Sequence, residues 1–213
     1  MDAYFECFTE NMGPSHNRVD VAYSTVQAYR NKLPDQLLTY WQQHGWSGYA
    51  NGNFWTVNPG DYDGVVHQWL LDSGTPDPDK HYVIARGAFG DLYLWAAAKQ
   101  NLLTINVKYA RYTAGFEDST PVSADEKIRS FFTTMSPEYN DFDDLFEKAL
   151  KKLGPLKSDE MYGFLPALAL GGPSELKNLQ KVKIIEHLAF LSQLSPLTDW
   201  GFPDFETIMK LTE

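Results

Sequence analysis

The stretch that decides the fold is 33-LPDQLLTYWQQHGWSGYANGNFWTVNP-59, which contains a helix, a stop and a hairpin. Pro34 suits the first helical turn, where a missing N–H is no loss. Three apolar residues that follow are spaced to share one helical face: Leu37, Leu38 and Trp41. Gly45 favours a left-handed cap at the end of that helix. Asn51-Gly52, a dipeptide favoured in tight hairpin turns, then separates two aromatic-rich runs that predict strands. The stretch therefore predicts an α+β protein.

The rest of the N-terminal half combines helices with a strand meander. Residues 2–12 predict a helix that Gly13-Pro14 ends, and the capping-box pattern from Ser24 to Gln27 predicts a second helix. Asn58-Pro59 predicts the start of a further helix. Three extended runs follow with no helix between them, which favours an antiparallel meander: Tyr82–Arg86, Leu92–Ala97 and Leu102–Tyr109.

The second half begins with two predicted helices. A linker is expected over Thr113–Val122, because it contains glycine, proline and short polar residues. Ser123 and Glu126 then form a capping box before an apolar helical face. Three acids begin the next helix, which ends in lysines as the helix macrodipole favours: Asp141, Asp143 and Asp144.

The last part of the chain leaves one element open. The run from Met161 to Leu170, broken by Pro166, fits either a strand that returns to a sheet or a short helix. A long helix is predicted over about Glu175–Leu194. A tail with three aromatic residues follows: Trp200, Phe202 and Phe205.

These patterns together predict an N-terminal antiparallel sheet with packed helices, followed by a mostly helical C-terminal domain. The predicted boundaries are 1–113 and 123–213. The chain of 213 residues is long enough to bury a substantial core, and whether the two segments form one folding unit or two stays open.

Composition indicates an ordinary cytoplasmic protein. No run approaches the ~18 apolar residues that a membrane span requires, and the first residues lack the pattern of a secretion signal. Cys7 is the sole cysteine, so an internal disulfide is excluded and a reducing compartment is expected. We therefore expect no membrane partner.

The net charge of −10 bears on the kind of partner. Residues 1–120 and 121–213 each carry five more acids than bases, so both halves share the charge. Direct binding to nucleic acid is disfavoured, because no basic stripe is present. An acidic surface suits solubility, and it also suits attraction to a basic protein.

The sequence contains no strong catalytic or metal-binding motif. The five histidines are scattered without the spacing of a zinc site. Asp61 and Asp63 resemble the start of a calcium loop, but Val65 occupies the next ligand position. Neither a metal nor a cofactor is predicted. A carboxylate-based hydrolase and a glycan-binding or regulatory module remain alternatives, since acids and aromatic residues are abundant.

Long ordered segments resemble a bacterial family. LPDQLLTYWQQHGWSGYANGNFWTVNPGDY (33–62) and HYVIARGAFGDLYLW (81–95) resemble the GAD-like domain. LGPLKSDEMYGFLPALALGGPSELKNLQKVKIIEHLAFLSQL (153–194) resembles the C-terminal domain that accompanies it in type VI secretion immunity proteins. The resemblance implies a cytoplasmic immunity protein that neutralises a secreted toxin, often a DNase, by tight binding without catalysis.

Charge and resemblance together indicate how such a toxin would be bound. A nuclease attracts a polyanion and needs a positive face, and an acidic protein is steered toward that face. The candidate toxin-binding residues, in a heterodimer with a basic nuclease, are Asp141, Asp143, Asp144, Glu147, Asp199 and Trp200. The alternative for each acid is solvated surface or a helix-dipole partner, and for Trp200 it is the core.

Overall fold

The computed structural model describes residues 2–71, 73–75, 77–115 and 121–200. Within these residues the fold is α+β, as predicted, with an antiparallel-rich sheet and helices followed by a helix-rich C-terminal region. The helices are α1 (Ala3–Met12), α2 (Tyr23–Tyr29), α3 (Asp35–His44), α4 (Asp63–Leu71), α5 (Ala124–Thr134), α6 (Phe146–Leu153) and α7 (Ile184–Ser192).

The described strands form one eight-stranded sheet and one two-stranded sheet. The large sheet has the order β1 (His16–Val19), β2 (Trp46–Tyr49), β3 (Phe54–Thr56), β4 (His81–Gly87), β5 (Leu92–Ala96), β6 (Asn101–Asn106), β7 (Arg111–Ala114) and β10 (Thr198–Asp199). Neighbours run antiparallel except β10, which runs parallel to β7. The small sheet pairs β8 (Glu160–Phe164) with β9 (Leu179–Lys183). The predicted meander is confirmed.

The helix and hairpin of the opening stretch are confirmed, with one correction at the turn. Helix α3 ends at Gly45, whose φ of +67° lies in the region that favours glycine. Strands β2 and β3 pair Tyr49 with Phe54, so four residues connect them rather than the expected two. Ala50, Asn51 and Gly52 all have positive φ in this connection.

Two predictions of helix starts have opposite outcomes. Ser123 and Glu126 form the predicted capping box at the start of α5. The capping box at Ser24 is wrong, because α2 begins at Tyr23 after Ala22, which provides no side-chain cap. The helix therefore starts before the residue that was expected to cap it.

The C-terminal region differs most from the sequence prediction. The long helix over Glu175–Leu194 is wrong: its first part is a short 3-10 turn and strand β9, and only Ile184–Ser192 is α-helical. The open element around Met161 is strand β8 up to Phe164. β7 extends to Ala114, so the predicted linker begins two residues too early, inside that strand. Residues 116–120 of that linker, and Phe202 and Phe205 of the tail, lie outside the described residues.

Two hydrophobic cores lie on opposite faces of the large sheet, since consecutive strand residues point to opposite sides. The first, here the helical core, is formed by α1, α3, α5 and one face of β3–β5; its members include Phe8, Trp41, Phe54, Trp95 and Phe132. The second, here the hairpin core, packs α4, α6, α7 and the β8–β9 hairpin on the other face; its members include Trp55, Trp69, Leu94, Phe164 and Leu188. Each core contains residues from both halves of the chain.

Candidate functional site

The predicted acids Asp141 to Glu147 lie in the loop before α6 and in its first turn. The Asp141 carboxylate accepts a hydrogen bond from the Phe146 backbone N–H at 2.9 Å, so this half-buried acid holds the helix start. Asp143 and Asp144 are exposed and have φ values of +50° and +57°, outside the helix that they were expected to begin. Glu147 is exposed on α6. Three of the four acids therefore face solvent.

The predicted tail residues Asp199 and Trp200 lie at the far edge of the large sheet. The Trp200 backbone N–H donates to the Tyr112 carbonyl at 2.8 Å and extends the pairing of β10 with β7. The Trp200 ring is 51% exposed and packs against the Arg111 guanidinium, 5.0 Å from the ring centroid. The alternative that Trp200 belongs to the core is thereby excluded.

The connection between β6 and β7 joins these two groups. The Tyr109 ring centroid lies 6.3 Å from that of Phe142, inside the acidic loop. The next residue, Ala110, accepts a hydrogen bond from the Thr198 backbone N–H at 3.0 Å. Both groups therefore flank one turn, and we call them the acidic surface: Tyr109, Asp141, Asp143, Asp144, Glu147, Asp199 and Trp200. Sequence analysis did not identify Tyr109, which is 48% exposed, because it was assigned to the end of a strand.

The aromatic residues of the opening stretch do not form a ligand platform. Trp41, Tyr49 and Trp55 are each at most 2% exposed and lie in the two cores. Trp46 alone of the four is half-buried. Their main role is therefore packing.

A cavity of about 340 Å³ opens between the N-terminal strands and the residues on either side of the β8–β9 hairpin, and we call it the junction cavity. Its apolar walls come from both segments: Val19, Trp46, Trp55, Tyr62, Ile184 and Ile185. Its polar lining includes Asn58, Asp61, Ser158 and Asp159. No local sequence pattern joins residues so far apart along the chain, so the cavity was not predictable.

A buried cation lies close to the junction cavity. The Arg86 side chain is fully buried and donates to the Gly87, Lys157 and Ser158 carbonyls at 3.3, 3.4 and 2.9 Å. Burial lowers the pKa of this guanidinium, while the Tyr62 hydroxyl opposes that effect. The same burial raises the pKa of Tyr62. Arg86 thus ties β4 to the segment that precedes β8.

The described residues contain no group of three or more His, Cys, Asp or Glu side chains that could hold a metal ion. In the same part of the chain, no helix is long and apolar enough to cross a membrane.

Two family models match the sequence, one in each half of the chain. The family model of the GAD-like domain matches residues 3–109, half of the chain. The chain belongs to the GAD-like domain family. A second family model, described as "T6SS immunity protein Tdi1, C-terminal", matches residues 125–195. This GAD-like protein therefore carries a C-terminal domain of type VI secretion immunity proteins, which supports an immunity role and the binding of a cognate toxin.

A solved structure shares the fold of this GAD-like protein. It is the crystal structure of Atu4351 from Agrobacterium tumefaciens, with a TM-score of 0.84 and 22% sequence identity. The match covers 93% of this chain and 94% of the other. No curated protein matches the sequence.

Proposed function

We propose that the chain is a cytoplasmic bacterial immunity protein that binds a secreted nuclease toxin and neutralises it without catalysis. The observation that carries the proposal is the immunity-domain match over residues 125–195, which include α5, α6, the β8–β9 hairpin and α7. The acids Asp141, Asp143, Asp144 and Glu147 lie inside the matched segment.

Charge supports a basic nuclease as the partner. A nuclease binds phosphates through a positive face, and this protein carries a net charge of −10. Opposite charges raise the association rate and select against wrong partners. In the proposed 1:1 complex, the acidic surface covers the DNA-binding face of the toxin, so that DNA is excluded.

The acidic surface has the composition that such a contact requires. Asp143, Asp144 and Glu147 expose carboxylates. Tyr109, which contacts Phe142 of the acidic loop, and Trp200, at the β10 edge, add exposed rings. Aromatic residues are enriched in protein interfaces. Carboxylates would steer the encounter, and the two rings would supply apolar contact area.

The test is co-expression with the toxin encoded beside this gene. We expect the tagged protein to retain the toxin in a pull-down at micromolar concentration and to protect cells that express it. Absence of both binding and protection would overturn the proposal. A nuclease assay on purified toxin tests whether the toxin is a nuclease. A toxin that is bound but lacks nuclease activity would contradict only that part of the proposal.

A matched pair of variants tests the surface. The double variant Asp143→Asn, Asp144→Asn removes two exposed charges from the acidic surface. Glu10→Gln and Asp35→Asn remove two exposed charges elsewhere. Only the first pair should weaken binding, and equal effects from both pairs would show that overall charge matters rather than this surface.

A further inference from the structure

The junction cavity has features that the proposed function does not use. It lies at the β1–β3 end of the large sheet, whereas Trp200 lies at the β10 end. Its volume of about 340 Å³ is sufficient for one large side chain or small ligand. Its walls come from both halves of the chain, so its shape depends on how they pack.

The walls of the junction cavity suit a long amphipathic side chain. Trp46, half-buried, offers an indole, and Ile185 and Val19 add aliphatic surface. Such a wall packs against methylene stems. Trp55 illustrates the chemistry within this chain, because the Arg86 guanidinium lies 4.9 Å from its ring centroid. Guanidinium groups stack on aromatic rings more readily than ammonium groups do.

The charges around the cavity leave one carboxylate without a cation. Asp159 forms an ion pair with Lys183, whose ammonium holds the pKa of Asp159 below its ordinary value. The buried Arg86 donates to three backbone carbonyls rather than to a carboxylate. Asp61 is exposed and accepts a hydrogen bond from the Asn58 amide at 3.0 Å. It forms no ion pair with any residue of the described ranges.

We infer that the junction cavity receives an arginine side chain of the cognate toxin, with its stem against Trp46 and its guanidinium on Asp61. The inference rests on the proposed function and adds a second contact region to the acidic surface. A toxin with a positive DNA-binding face offers such side chains. Arginine anchors in well-packed pockets dominate many protein interfaces.

Two substitutions test the inference through their effect on the affinity for the toxin. Asp61→Asn removes the carboxylate with little change in shape, and we expect the toxin to bind about tenfold or more weakly. Val19→Arg places a guanidinium of this chain in the cavity; Val19 is 51% exposed on an edge strand, so the fold tolerates the change. It should weaken binding at least as much. Leu170→Arg, at an exposed residue outside the cavity, is the matched control.

A small probe tests the cavity directly. N-acetyl-arginine amide should shift the Trp46 indole resonance of the full chain, and N-acetyl-citrulline amide, which has the same shape without charge, should not. The Asp61→Asn variant should lose the response to the arginine compound.

The outcomes separate the two proposals. If the unmodified chain binds the toxin and the affinities of both cavity variants lie within about twofold of its affinity, the inference fails and the proposed function stands. Equal shifts by the two probes would also overturn the inference. If the unmodified chain does not bind the toxin, the proposed function fails and the inference fails with it.

Discussion

The Arg86 guanidinium and the Trp55 indole are packed together, 4.9 Å apart, with both side chains at most 2% exposed. No carboxylate of the described residues forms an ion pair with Arg86. Three backbone carbonyls accept hydrogen bonds from its two terminal nitrogens instead, two of them from the segment before β8. The buried Nε has no hydrogen-bond partner among the described residues. A single side chain thus links the sheet of the N-terminal half to the C-terminal hairpin.

Replacing Arg86 should therefore be costly. Arg86→Met keeps much of the volume but removes the guanidinium donor of the Ser158 carbonyl, whereas the Gly87 and Lys157 carbonyls keep the backbone N–H groups of Gly90 and Glu160. A hydrogen bond lost from a charged donor costs about 1–3 kcal/mol. The contact of the guanidinium with the Trp55 ring is lost as well, so the free energy of unfolding should fall by about 2–4 kcal/mol in total. Urea unfolding measures it, and Arg30→Met on the surface is the control. Equal midpoints for the two variants would contradict the role of Arg86.

Gly45 should tolerate no side chain. Its φ is +67°, and an added Cβ would lie 2.5 Å from the Val19 carbonyl oxygen of β1. Gly45→Ala should lower the free energy of unfolding by about 2 kcal/mol or more. Gly13→Ala is the matched control, because its φ is +73° and the added Cβ meets nothing within 4 Å. The difference between the two variants in thermal or urea unfolding isolates the clash, and no difference would contradict it.

Stability should fall as the pH drops below about 6.5. Burial lowers the pKa of four histidines: His16, His44, His81 and His187. In the unfolded chain these histidines bind protons near their ordinary pKa, and in the folded chain they do so only at lower pH. Between the two pKa values the unfolded chain binds more protons, so lowering the pH favours unfolding. Urea midpoints at about pH 8 and about pH 5.5 should show the loss. His187→Gln should make it smaller, and an undiminished loss would contradict the contribution of His187.

The two halves of the chain should unfold together. Phe132 of α5 is 1% exposed, and its ring lies 5.2 Å from both Phe8 and Tyr40. Phe132→Ala should destabilise the protein by about 3–5 kcal/mol. Five of the six tryptophans precede residue 100, so fluorescence reports the N-terminal half. In Phe132→Ala, the unfolding midpoint measured by fluorescence should shift as far as the midpoint measured by circular dichroism. A fluorescence midpoint that does not shift would show that the two halves unfold independently.

The acidic surface should control the rate of toxin association. Asp143→Lys should slow association by about tenfold at low salt, with a smaller effect at high salt, because screening weakens steering. Stopped-flow mixing with the toxin measures both rates. Glu10→Lys makes the same charge change outside that surface. Salt-independent slowing would contradict steering as the cause.

Sequence patterns predicted the elements whose signals are local. Helix α1 forms over Ala3–Met12, within the predicted range, and Ser123 caps α5 as its spacing indicated. The long helix failed because Leu179 and Val182 fit helical spacing and strand pairing equally well. Pairing with Phe164 and Met161 across the β8–β9 hairpin decided the structure, and no local pattern reports such a partner.

The candidate surfaces were predictable only in part. The acids before α6 were identified from charge and resemblance, and they remain close together because they are consecutive. Their link to Trp200 through the β6–β7 turn depends on the parallel pairing of β10 with β7, which joins residues far apart in sequence. The junction cavity was not predictable for the same reason, since Val19, Asp61 and Ile185 meet only after folding.

The parallel pairing of Thr198 and Asp199 with Arg111 and Tyr112 also orders the events of synthesis. On the ribosome, β7 emerges long before its partner, so one edge of the large sheet stays open while some 80 residues are still being added. An open edge offers unpaired N–H and C=O groups to other chains. Nascent copies on one messenger are therefore most exposed to association through β7, and residues 198–199 close that route.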